Sequence, residues 1–206
     1  MNEYKTVLKA ADDEYIVKHS RFIGYCTPVK TQQEAVDFIN SIKAKHWDAK
    51  HNVYAYCLRE GQIKRFSDDG EPQGTAGMPT LDVILKEDVT DCCVVITRYF
   101  GGILLGGGGL VRAYSHTSKL ALEASQIITM GLCSILIVEC DYNFYGKLPS
   151  VVAQAGGEII DSVFEDNVKV EIKIPSDKLP MFNATLTDIS NGKLFAKLLR
   201  EEYMKI

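Results

Sequence analysis

The sequence has few of the features that would place a protein in a membrane, in an oxidising compartment or around a metal. No apolar run approaches the ~20 residues that a membrane-spanning helix needs, and the polar N-terminal segment lacks the apolar centre of a signal peptide. The six cysteines include no CxxC pair, which disfavours a zinc site. Most lie in apolar runs, where a free thiol packs as a small hydrophobic group. We therefore expect a cytoplasmic protein with reduced cysteines and no membrane partner.

The charge balance offers no general attraction for nucleic acid. The net charge is −4, and residues 1–133 contain 15 basic and 16 acidic residues, against 8 and 11 in the remainder. Because neither part is basic, any contact with RNA has to come from a local patch of positive charge. A GxxxxGK[ST] motif is also missing, so an NTP-binding P-loop is not supported.

The most informative stretch runs from residue 64 to residue 114. Nine of the sixteen glycines lie between Gly70 and Gly109, which indicates that backbone geometry matters more there than side-chain bulk. Two glycine-rich loops, residues 67–78 and 100–109, each lead into a segment with helical spacing, and the apolar strand CVVITRY separates them. A helix start carries free N–H groups and a partial positive charge. The stretch therefore predicts a binding site for an anion such as a phosphate.

Two arginines flank the second loop and are suited to such a ligand. A guanidinium donates two parallel hydrogen bonds to a phosphate, and Arg98 and Arg112 stand on either side of the loop. Because a cation in the first turn of a helix opposes the helix dipole, Arg112 needs either a ligand anion or a carboxylate partner, Glu71 or Asp69. Lys119 falls on the same predicted helix face. The predicted phosphate- or nucleic-acid-binding residues are Arg98, Gly101, Gly102, Gly106, Gly107, Gly108, Gly109, Arg112 and Lys119.

The first loop contains three acidic residues, Asp68, Asp69 and Glu71. Their carboxylates could share one Mg²⁺ ion beside a bound phosphate, and Mg²⁺ is the one cofactor that the sequence suggests. Alternatively, Asp side chains accept hydrogen bonds from nearby backbone N–H groups and stabilise turns, and we favour this structural role. No spacing connects His51 to the loop, and no nucleophile and base stand at a telling distance, so catalytic residues are not identified.

The C-terminal part has a regular pattern of its own. A helix is expected from about Leu110 to Met130, ended by Gly131, with a domain junction near residues 131–134. The order strand, helix, strand, strand, helix, strand follows, with clean alternation of apolar and charged residues in the third strand, from residue 168 to residue 174. This βαββαβ order predicts a ferredoxin-like sandwich.

Two blocks of the sequence resemble the YigZ/IMPACT family. They read FSDDGEPQGTAGMP, from Phe66, and VVITRYFGGILLGGGGLVRAY, from Val94, and the segment AKHNVYAYCLRE before them is similar too. The resemblance covers essentially the whole chain and implies an α+β protein of two domains. Residues 1–131 would have the ribosomal protein S5 domain-2-like fold. Residues 132–206 would form a ferredoxin-like domain similar to one in elongation factor G.

The resemblance and the loops together suggest what the protein does. Eukaryotic IMPACT proteins restrain the amino-acid-starvation kinase and carry an extra N-terminal domain for it, so we do not expect this chain, which begins with the shared half, to have that partner. We expect a non-enzymatic regulator of translation that binds RNA, the ribosome, translation factors or another phosphate-bearing ligand. A Mg²⁺-dependent phosphate-ester or nucleotide-processing enzyme is the main alternative, and an adaptor that uses the C-terminal sheet is another. Tyr99, Phe100 and Tyr114 could stack on bases or fill the core.

Overall fold

The computed structural model describes residues 3–206; residues 1 and 2, with which the predicted first domain begins, lie outside it. The chain divides into two compact units: the first is Tyr4–Thr129, and the second is Met130–Ile206, to which Glu3 is also assigned. The strand β7 (Ile127–Cys140) runs through this division without interruption, so the junction expected near residues 131–134 lies in a strand rather than in a loop. That the units are separate folding domains with a boundary at residue 131 stays a prediction.

The first unit is built on an antiparallel sheet. Its elements are β1 (Glu3–Val7), β2 (Ala11–Val17), β3 (Ser20–Pro28), α1 (Gln32–Lys45), β4 (His51–Leu58), β5 (Ile63–Ser67), α2 (Gly77–Lys86), β6 (Cys92–Tyr99) and α3 (Gly107–Ala124). Five of the strands lie side by side in the order β2-β3-β6-β4-β5. The central strand, β6, is buried on both faces because helices cover both, which explains its continuous apolar sequence.

The two faces of this sheet form separate cores. Alternate residues of β6, Val94 and Ile96, pack with residues of α2 and α3, whereas Cys93 and Val95 pack with residues of α1. This alternation follows from the two-residue period of a strand. It places the starts of α2 and α3 on the same side of the sheet, where both glycine-rich loops arrive.

Helix α3 begins and ends earlier than the sequence pattern indicates. It spans Gly107–Ala124, whereas we expected about Leu110 to Met130. Ser125 ends the helix, Gln126 has a left-handed backbone (φ 60°), and the β-branched residues that follow belong to β7. Gly131 is therefore not a helix terminator; it lies within β7 against the side chain of Ile206.

The second unit has the predicted ferredoxin-like order. After β7 come α4 (Tyr142–Tyr145), α5 (Leu148–Gln154), β8 (Glu158–Phe164), β9 (Val168–Pro175), α6 (Leu179–Ile189) and β10 (Ala196–Lys205). Four antiparallel strands of its sheet lie in the order β10-β7-β9-β8, and the alternating apolar residues of β9 pack into a core with α5 and α6. The first helix of this order is formed by two short helices, because Pro149 fits only the first turn of a new one.

Two expectations about composition can be compared with this fold. All six cysteines are free and buried, as expected for small core residues. Within residues 3–206, no helix combines the length and the apolar content needed to cross a membrane.

Candidate functional site

The first glycine-rich loop, residues 68–76, is closed by the side chain of Asp68. One carboxylate oxygen accepts hydrogen bonds from the backbone N–H groups of Ala76 (3.1 Å) and Gly77 (2.8 Å), and the other accepts from that of Gly74 (2.9 Å). Gly77 is the first residue of α2. The N–H groups of Ala76 and Gly77 at the start of this helix are therefore satisfied from within the protein, which is the capping role that we favoured for the acidic residues.

Asp69 attaches the same loop to neighbouring elements. Its carboxylate pairs with the Lys43 ammonium (2.7 Å) and accepts from the backbone N–H of Asn52 (2.7 Å). Its carbonyl oxygen lies 2.9 Å from Nδ1 of His51, and since a carbonyl can only accept, Nδ1 carries the proton. The sequence left His51 unconnected to the loop, because the contact depends on how β4 lies beside it.

Glu71 joins the first loop to the central strand and to α3. Its Oε1 accepts from the Arg98 guanidinium (2.6 Å) and from the Tyr114 hydroxyl (2.8 Å), and all three side chains are buried. Burial, and then the Glu71 charge, raise the pKa of Tyr114, so the hydroxyl stays protonated and donates. Arg98 thus takes the carboxylate that we had considered as a partner for Arg112.

The three acidic side chains do not converge on one point. Asp68 caps α2, Asp69 holds Lys43, and Glu71 holds Arg98. Among residues 3–206, no group of three or more His, Cys, Asp or Glu side chains is placed to hold a metal ion. The Mg²⁺ hypothesis therefore has no ligand cluster in the described part of the chain to support it.

The second glycine-rich loop leads to an open helix start. Gly106 precedes α3 with a left-handed backbone (φ 71°) and offers no side chain to cap the helix. Gly107, Gly108 and Gly109 form the first turn, and their N–H groups find no acceptor among residues 3–206. Gly106 to Gly108 are exposed, so this positive end of the helix dipole faces solvent.

Two cations lie beside this helix start. Arg112, one turn further along α3, is exposed and lines a cleft of about 170 Å³ together with Lys18 and Gly109. The cleft walls are otherwise apolar or aromatic: Tyr15, Val17, Leu105 and Ala113. Within the described residues neither cation forms an ion pair. Lys18 was not predicted, because its place next to Arg112 depends on the β2–β3 hairpin.

The hairpin is held against the second loop by Gly101. A Cβ atom at this position would overlap the backbone of His19, the residue after Lys18, and the Gly101 N–H donates to the Ser20 hydroxyl (3.1 Å). Only glycine allows this approach. Gly102, by contrast, has a left-handed backbone (φ 83°), and a methyl group added there would meet no atom within 4 Å.

The remaining predicted residues are less involved. Lys119 is exposed and pairs with Glu123 one turn along α3 (3.8 Å). Tyr114 is fully buried, so it fills the core and cannot stack on a base. The Phe100 ring is 53% exposed.

Tyr99, just before the second loop, belongs to a hydrogen-bond chain that the sequence did not reveal and that runs from the buried Tyr25 to the exposed Asp48. Its hydroxyl donates to Asp48 (2.9 Å) and therefore accepts from Nδ1 of His46 (2.9 Å), while Nε2 of His46 lies 2.7 Å from the Tyr25 hydroxyl. If the Tyr25 hydroxyl donates to Nε2, His46 is neutral. Burial, and then the charge of Lys45, lower the pKa of His46, which favours the same state.

The comparisons identify the class of protein to which this fold and these loops belong. The Impact N-terminal domain family matches residues 18–122, which contain both loops, and a domain of unknown function (DUF1949) matches residues 138–193. The chain belongs to the IMPACT family. The resemblance noted in the sequence is thereby confirmed, as is the α+β fold of two domain types.

Particular relatives match over most of their length. The chain is 38% identical to the IMPACT family member YvyE of Bacillus subtilis over 194 residues, which is 94% of this chain and 89% of that protein. It is 35% identical to the IMPACT family member YigZ of Escherichia coli, over 86% of this chain and 89% of that protein. A crystal structure of a hypothetical protein aligns with a TM-score of 0.61 at 32% identity, covering 98% of this chain and 100% of that one.

Proposed function

We propose that the protein binds a phosphate-bearing ligand at the start of α3, and that it regulates translation by binding RNA of the translation machinery there. The observation that supports this is the uncapped first turn of α3, with Lys18 and Arg112 beside it in one cleft. Free N–H groups and the positive end of the dipole favour an anion, and two cations strengthen the attraction. The translation role rests on membership of the IMPACT family and on domain folds similar to those of ribosomal proteins and elongation factors, which is an analogy of fold.

The proposed site relies on fewer cations than the sequence indicated. Arg98 is neutralised by Glu71, and Lys119 has a partner of its own, so Lys18 and Arg112 take their places as the main phosphate contacts. Because the chain carries a net charge of −4, the binding energy has to come from this patch. We place the protein in the cytoplasm, where RNA of the translation machinery is available.

Calorimetric titration with inorganic phosphate and with a short single-stranded RNA tests the proposal. Arg112→Gln and Lys18→Gln should each weaken both interactions about tenfold, the loss expected for one charge-assisted hydrogen bond. Lys119→Gln is the matched control on the same helix and should bind as the wild type does. With about two phosphate contacts, the slope of log K against log salt should be about −1.4 for the RNA.

Two further results of the titration bear on the proposal. Mg²⁺ should leave the affinity for phosphate unchanged, since the acidic side chains are engaged by protein groups. If neither probe binds, or if Arg112→Gln and Lys18→Gln bind as well as Lys119→Gln, the start of α3 is not a ligand site.

A further inference from the structure

Arg98 is a buried cation that uses little of its hydrogen-bonding capacity. A guanidinium has five N–H groups, yet the contact to Glu71 is made through one terminal nitrogen (2.6 Å). Its Nε is shielded from solvent and has no hydrogen-bond partner among residues 3–206, although the side chain is only 8% exposed. Glu71 therefore balances the charge of Arg98 but does not use the two-pronged geometry that arginine offers to an oxyanion.

A second donor converges on the same point. The Tyr114 hydroxyl donates to the same oxygen of Glu71, at 2.8 Å, and its raised pKa keeps it protonated. Oε1 of Glu71 thus occupies a position where a charged and a neutral donor meet inside the protein. An oxygen of another carboxylate or of a phosphate would receive the same two hydrogen bonds there, and Nε could supply a third.

Two aromatic rings lie near the guanidinium, and one of them is exposed. The carbon of the Arg98 guanidinium is 5.3 Å from the centre of the Phe22 ring and 5.6 Å from that of Phe100. Phe22 is fully buried, whereas Phe100 is half exposed and precedes Gly101 and Gly102. Movement of the Phe100 side chain would uncover Arg98 without disturbing the core.

We propose that Arg98 and Tyr114 form an oxyanion-binding site, separate from the start of α3, which Glu71 fills as an internal anion and which a carboxylate or phosphate oxygen enters by displacing Glu71. The exchange keeps Arg98 paired, so no uncompensated charge is left in the interior, and the released carboxylate of Glu71 regains its hydration. Glu71 links the first loop to β6 and α3, so its displacement removes that attachment, while those made by Asp68 and Asp69 remain. Binding of an oxyanion should therefore loosen the loop locally around residue 71.

The test uses phosphate and acetate as probes in an Arg112→Gln background, in which the site proposed at α3 is weakened about tenfold. Adding Glu71→Gln keeps an acceptor for Arg98 and Tyr114 but removes the competing charge. The double variant should bind phosphate at least about tenfold more tightly than Arg112→Gln alone, and phosphate should raise its melting temperature. Adding Arg98→Lys as well, which keeps the charge but loses the fork, should abolish the gain. If Arg112→Gln leaves the affinity for phosphate and RNA unchanged in the titrations described under Proposed function, that result counts against the α3 site and not against the site at Arg98.

A folded double variant with no gain in affinity for either probe overturns the proposal. If Glu71→Gln does not fold, hydrogen exchange in the wild-type protein decides the matter. Within the loop, the Glu71 amide is bonded to the carbonyl of Asp68, and the Thr75 amide to that of Pro72. Phosphate should speed hydrogen exchange of both amides. Unchanged exchange of both amides at the highest phosphate concentration that leaves the fold intact contradicts the displacement of Glu71.

Discussion

The two glycine-rich loops deliver helices to the same face of one sheet, but they satisfy the helix starts in different ways. In the first loop, one carboxylate, that of Asp68, accepts from three backbone N–H groups around the start of α2. In the second, Gly106 offers no side chain, and the first turn of α3 is left open to solvent. Similar compositions thus produce one helix start that a carboxylate closes and one that is left open to solvent.

The two loops also differ in how their charges are paired. Two of the three carboxylates of the first loop form short ion pairs, Asp69 with Lys43 and Glu71 with Arg98, and the third, Asp68, accepts from backbone N–H groups. The second loop has no acidic residue, and Lys18 and Arg112 stand beside it without an ion-pair partner in the described chain. A cluster of carboxylates in a glycine-rich loop therefore need not be a metal site; here it closes one loop and leaves the other as the candidate for binding.

The largest expected loss of stability comes from changing Gly101, the residue that holds the second glycine-rich loop against the β2–β3 hairpin. Gly101→Ala should lower the free energy of unfolding by about 3 kcal/mol or more, because the new Cβ overlaps the His19 backbone. Gly102→Ala is the matched control: it meets no atom within 4 Å and should cost about 1 kcal/mol, for its left-handed backbone alone. Urea unfolding of the two variants measures the difference. Equal losses would mean that the close approach to the hairpin does not hold the second loop.

A smaller loss of stability is expected when the first glycine-rich loop loses the carboxylate of Asp68. Asp68→Ala removes the acceptor of three N–H groups and should cost about 2 kcal/mol, the upper range for a lost helix cap. Phosphate affinity should not fall, since the α3 site lies on the other loop. Asp68→Asn keeps one oxygen acceptor, so it should lose less stability than Asp68→Ala. A variant of normal stability that binds phosphate more weakly in the presence of Mg²⁺ would instead favour a metal role for Asp68.

The smallest effect on stability concerns the hydrogen-bond chain through His46 and Tyr99, just before the second loop. Burial lowers the pKa of His46 below its usual value of 6.5, so the unfolded chain binds a proton more readily than the folded protein. Stability should accordingly fall as the pH drops below about 6.5, and His46→Gln should flatten this dependence. Thermal unfolding between mildly acidic and neutral pH measures it. An unchanged pH profile in His46→Gln would show that another group is responsible.

Local patterns in the sequence were sufficient to predict these helices and strands but not the contacts between their side chains. Alternation in β9 and the apolar run of β6 predicted both strands, since each depends on neighbouring residues alone. The pairing of Glu71 with Arg98 rather than Arg112 was missed, because it depends on which way α3 turns its side chains. Lys18 was missed for a similar reason: a hairpin more than 80 residues earlier brings it to the second loop.

Chemical-shift mapping of the backbone amides during a phosphate titration tests the central claim most directly. If the open and closed helix starts differ as described, the amides of Gly107, Gly108 and Gly109 should shift with a common binding curve. Those of Ala76 and Gly77 should stay in place, because the Asp68 carboxylate already occupies them. Shifts at the start of α2 as large as those at α3, or none at α3, would contradict the account.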